Sequence, residues 1–149
     1  MDAVKLLKQD HDRVKELFAR YEHTGERAHK TRQRIVEEVL RELEAHSRLE
    51  QEIFYPAVEA IDEELHEMVA EGVQEHHVVD VLGQEIRKLA PDSEEYAAKF
   101  QVLQENVEHH IDEEEQEMFP RVQKKLGDRL DELGERMATR KRELLASVS

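Results

Sequence analysis

HSRLEQEIFYP at 46–56 and HIDEEEQEMFP at 110–120 are the two stretches on which the fold turns. In each, a histidine is followed after four residues by a glutamate (His46 and Glu50; His110 and Glu114) and after ten by a proline (Pro56 and Pro120). A step of four is little more than one helical turn, so each His–Glu pair lies on one helix face. Upstream, Gln9-Asp10-His11 recurs as Gln74-Glu75-His76, and the first histidine precedes the second by 35 residues in one half and 34 in the other. The chain reads as two similar helical hairpins related by a pseudo-twofold axis.

The surrounding sequence agrees. Val4, Leu7, Val14, Phe18 and Tyr21 repeat at helical spacing, as do Val36, Val39, Leu40, Leu43, Ile53 and Phe54. Leu65, Val69, Val73, Val79, Leu82 and Ile86 form a third stripe, and Phe100, Leu103, Val107 and Met118 a fourth. Each is wide enough to face a core. Breakers fall at Gly25, Pro56, Gly72, Pro91-Asp92-Ser93, Pro120 and Gly127-Asp128. The spacing predicts helices over roughly 2–22, 29–55, 61–90, 93–119 and 128–146, with Asp92 and Glu95 as a capping box. With no strand candidate, the expected fold is all-α: an up-down-up-down four-helix bundle over 1–126 and an accessory helix in 127–149. That last helix carries its own stripe, Leu126, Leu130, Leu133, Met137 and Leu144, and a basic end with Arg136, Arg140, Lys141 and Arg142.

Composition limits the function. Charged residues make up 39% and aromatics 5%, which suits long solvated helices with narrow apolar seams. The net charge of −14 leaves no basic face for phosphates, so a nucleic-acid partner is not expected. No stretch approaches a membrane span or a secretory signal, and the expectation is a cytoplasmic protein without a membrane partner, monomeric or weakly dimeric. There is no cysteine, so any metal must be held by nitrogen and oxygen.

Each stripe is interrupted, and a histidine fills the gap. His11 falls between Leu7 and Val14, His46 three residues after Leu43, His76 between Val73 and Val79, and His110 three after Val107. Glu50 and Glu114 follow one turn on. Burying an unpaired charge costs several kcal/mol, and no Lys or Arg lies in the inward stripes nearby. Two His, His, Glu sets at matching depth suit two metal ions side by side. His77 and His109 neighbour these positions but point off the inward faces, His23 and His29 belong to a loop, and His66 lies about 100° from its stripe. No zinc-protease His-Glu-x-x-His, phosphate loop or serine triad is present, and the Glu26/His29 and Glu63/His66 pairs fall on loop or outer faces. No catalytic side chain and no organic cofactor are expected beside the metal set.

These residues resemble the hemerythrin-like family, the HHE cation-binding domain. The resemblance rests on QDHDRVKELF, EAHSRLEQEIFYPAV, QEHHVVDVL and HHIDEEEQEMFPRV, and on the paired His46…Glu50…Pro56 and His110…Glu114…Pro120. It implies a four-helix bundle with a non-haem Fe–O–Fe centre. His11, His46, His76 and His110 would then be terminal ligands, and Glu50 and Glu114 would bridge; zinc or manganese could substitute. Oxygen carriers of the family place another histidine one turn after the first on the third helix, where this chain has Asp80. That leaves about two of twelve coordination positions for water, Asp80, Tyr21, Tyr55 or an exogenous ligand. Three functions follow as expectations. The first is a protein that binds or senses O2, NO or iron. The second is an enzyme that decomposes peroxide or reduces NO. The third is a structural or interaction bundle.

Overall fold

The computed structural model describes residues 1–146, and the last three residues of the expected accessory segment lie outside them. Helix α1 spans Ala3–His23, α2 His29–Leu49, α3 Tyr55–Glu59, α4 Glu63–Arg87, α5 Glu94–Glu113, α6 Phe119–Leu126 and α7 Arg129–Ala146. α1, α2, α4 and α5 form the four-helix bundle. Side-chain oxygens start three of these helices: Asp2 accepts from the Lys5 N–H, Asp62 from Leu65 and Ser93 from Tyr96. The α5 cap is therefore Ser93, one residue later than the expected Asp92. Gly127, at φ +50°, closes α6 in the left-handed region that favours glycine. No described helix is long and apolar enough to cross a membrane.

Pro56 and Pro120 do not end their helices. One wide turn of π-helix precedes each, at Glu50–Phe54 and Glu114–Met118. There the N–H of Tyr55 reaches back to the Glu50 carbonyl and that of Phe119 to Glu114, five residues instead of four. Proline cannot donate the next backbone bond. Because the wide turn has already shifted the register, the chain continues helically past it. Gly72 lies inside α4, within the span expected for that helix.

The apolar residues separate into two clusters. One holds Leu7, Leu49, Phe54, Leu65, Phe119 and Met137, the other Leu17, Phe18, Val39, Ile86, Phe100 and Leu103. The stripe of α7 joins the first, with Leu130, Leu133, Met137 and Leu144 all buried. α7 packs against α1, α2 and the first π turn. A polar layer crosses the bundle between the clusters.

Candidate metal centre

Six side chains make up that layer. α1 contributes His11, α2 His46, α4 His76 and α5 His110, and each π turn contributes its first residue, Glu50 or Glu114. All six are buried, Glu50 completely. The structure thus brings together the four histidines and two glutamates expected as ligands. His11, His46 and Glu114 form one cluster and Glu50, His76 and His110 another, each with ligand atoms within 4.8 Å of one another. His11 Nε2 lies 3.3 Å from Glu114 Oε1, His46 Nε2 3.2 Å from Glu50 Oε1, and His110 Nε2 3.2 Å from Glu114 Oε2. His76 Nε2 is 2.9 Å from Glu50 Oε1. Both carboxylates therefore stand between histidines of different helices.

The other nitrogen of each ring is held from outside. His46 Nδ1 donates to Asp10 at 3.0 Å, His110 Nδ1 to Glu75 at 2.6 Å and His11 Nδ1 to Glu115 at 2.6 Å. His76 Nδ1 meets the Gln51 amide at 2.8 Å. Such contacts fix ring orientation and turn Nε2 inward, as outer partners of metal-bound histidines do. The internal repeat reappears in three dimensions. His11 stacks on Phe119 with centroids 5.8 Å apart, and His76 on Tyr55 at 5.4 Å. The Tyr55 hydroxyl breaks the symmetry by donating to Glu114 Oε2 at 2.6 Å. Gly72 makes room for it, since a Cβ there would lie 2.7 Å from that oxygen.

His11 Nε2, His46 Nε2, His110 Nε2, Glu50 Oε2 and Glu114 Oε1 are buried and make no hydrogen bond. An unsatisfied buried polar atom costs about 1–3 kcal/mol, so five at one point need another partner. Nitrogen and carboxylate oxygen donors converging from four helices fit a pair of divalent transition-metal ions. Without metal, protons balance the charge. Burial lowers the pKa of His46, but the charge of Glu50 and the Asp10 contact push it up to about 10. His11 and His110 are also raised against burial, His11 by the close carboxylates of Glu114 and Glu115 and His110 by the charge of Glu114. Burial would raise Glu50, yet the charge of His46 and the imidazoles of His110 and His76 close around it hold it well below the carboxylate range. Burial and the charges of Glu50 and Glu114 keep Tyr55 a neutral phenol.

Asp80 is not part of this layer. It is exposed and accepts from Gln84, one turn further along the surface of α4. The i+4 position is rotated about 40° from His76, and the short carboxylate turns outward. Tyr21 belongs to the far apolar cluster, beneath Arg32. Among the tyrosines only Tyr55 reaches the centre. His66, His77 and His109 are exposed. Asp10, Glu75, Glu115 and Gln51 went unrecognised as supporting residues, although the repeated doublets Asp10-His11 and Glu75-His76 carried a signal. A base does approach the layer: Lys141 of α7 donates to Asp10.

Comparison with known proteins identifies a family. Residues 2–122 match the family model described as Hemerythrin HHE cation binding domain. The uncharacterized proteins Rv2633c of Mycobacterium tuberculosis and Mb2666c of Mycobacterium bovis are each 34% identical over 153 residues, covering 99% of this chain and 89% of theirs. A crystal structure of an HHE cation binding domain-containing protein from Mycobacterium kansasii, an Rv2633c homolog, superposes with a TM-score of 0.84 at 28% identity. The match covers 99% of this chain and 89% of that one. The bundle, its buried His/Glu layer and these matches together show that the chain belongs to the hemerythrin HHE cation-binding family.

Proposed function

We propose that this chain is a carboxylate-bridged di-iron protein that binds or senses O2, NO or iron. His11, His46, His76 and His110 would hold the ions as terminal ligands, and Glu50 and Glu114 would be shared between them. The observation that carries this reading is the convergence of inward imidazole nitrogens on two buried carboxylates, with five of these polar atoms making no hydrogen bond. Iron bound there supplies redox chemistry and coordination positions open to a small ligand. The protein supplies orientation and exclusion. A chamber of about 30 Å³ adjoins the four histidines, walled by Val14, Leu43, Val79, Val107 and Ile111. That volume has room for a ligand of a few atoms.

One observation favours turnover as a second reading. Tyr55, a neutral buried phenol that donates to Glu114, holds a proton beside that carboxylate, as peroxide chemistry at the centre would need. Optical titration separates these functions. With iron bound, azide and NO should each shift the near-ultraviolet and visible bands with saturable stoichiometry. Peroxide should be consumed catalytically only if the second reading holds. Bands that none of the three ligands moves would contradict both readings and leave a structural bundle.

A further inference from the structure

The two halves of the centre repeat in backbone but differ in what stands behind the histidines. Both rings of the His11–His46 position rest on carboxylates, Glu115 and Asp10. A carboxylate only accepts, so it holds the N–H on Nδ1 and leaves the Nε2 lone pair for a metal. His76 rests instead on Gln51, whose amide can donate or accept and so permits either tautomer. Gln51 occupies the repeat position of Glu115, each following its bridging glutamate.

Surroundings widen the difference. Asp10 is buried, 5% exposed, and its second oxygen accepts from Lys141 of α7. Its counterpart Glu75 is 23% exposed and has no lysine among the described residues. Arg140, next to Lys141, pairs with Glu52 on the same flank. Through these contacts α7 covers that flank of the layer. On the opposite flank, Glu75, His109 and Glu113 present ligand atoms within 4.8 Å of one another. A cavity of about 60 Å³ there reaches from Glu71 and Glu117 to His110 and Glu114. A groove of about 380 Å³ also passes Gln51 and His76.

Resting on the dinuclear reading, we infer that the two metal positions are inequivalent. The His11–His46 position retains its ion, the His76–His110 position exchanges it, and Lys141 is the positioning residue that holds the first closed through Asp10. Zinc suits nitrogen and oxygen ligands and gives a redox-silent probe. Metal-free protein loaded with Zn(II), freed of excess and mixed with a chromogenic chelator should release two equivalents in two equal phases. Outer-partner changes alter metal affinity about 10–100-fold, and the two release rates should differ by about 10-fold or more. Lys141→Met should speed the slow phase about 10-fold and spare the fast one, while Lys141→Arg restores it. Gln51→Glu should slow the fast phase. Two equivalents leaving wild-type protein in a single phase, or both phases accelerating equally in Lys141→Met, would overturn this inference alone. Uptake of fewer than two equivalents would overturn the dinuclear reading beneath it.

Discussion

A thermal midpoint about 10 °C higher with metal than without is expected when the two forms are melted side by side, at about 4 kcal/mol for an ion held 1,000-fold above its dissociation constant and about 2–4 °C per kcal/mol. The two apolar clusters should keep the metal-free protein folded, but five buried polar atoms would then lack a hydrogen bond. Metal replaces the protons that offset Glu50 and Glu114 and gives those atoms partners. The gap should widen with pH. The folded-state pKa of His46 is raised from 6.5 to about 10. A raised pKa contributes stability that is fully present below pH 6.5 and lost as pH rises through the folded value. The metal-free midpoint should therefore fall between about pH 6.5 and 10, while the loaded protein, with metal in place of that proton, loses less. Equal midpoints for the two forms would show that the layer gains nothing from metal.

Gly134→Ala should be the most damaging single substitution far from the centre. A Cβ at Gly134 would lie 2.1 Å from the Met1 carbonyl oxygen, 2.7 Å from the Asp2 carbonyl carbon and 2.8 Å from the Ala3 nitrogen. All three are backbone atoms and cannot rotate away. Alanine gains about 1 kcal/mol in helix propensity. Overpacking costs typically about 1–3 kcal/mol and more against rigid neighbours, so the steric effect wins. Either α7 or the first turn of α1 must shift, and with it the Lys141–Asp10 contact. The expected loss is about 2 kcal/mol in chemical denaturation. Gly25→Ala is the control: its Cβ would meet nothing within 4 Å, and the change should stay within about 0.5 kcal/mol. Equal stability of the two variants would count against this packing of α7.

Which parts were legible in the sequence follows from how far each interaction reaches. Helical periodicity is local, so the four stripes, and His11, His46, His76 and His110 within them, could be placed without a structure. Pro56 and Pro120 misled because a π turn is invisible to a 3.6-residue rule. The same turns carry Glu50 and Glu114, so the irregularity and the function coincide. Asp10 and Glu75 each sit one residue before a histidine, about 100° around the helix. A single-helix reading assigns them to the flank, although each reaches a ring on the neighbouring helix. Only their repetition hints at a role. Asp80 failed for the opposite reason, since sharing a face with His76 did not bring its short side chain to the centre. Lys141 lies 131 residues from Asp10, and no spacing rule connects them.

The central claim is that six residues hold two ions. Its most direct test is metal per chain after anaerobic reconstitution with Fe(II) and removal of loosely bound ions by gel filtration. About two irons per chain in the wild type, falling below one in Glu50→Ala, is the result expected if Glu50 bridges both positions. One iron or none in the wild type, or two retained without Glu50, would contradict it.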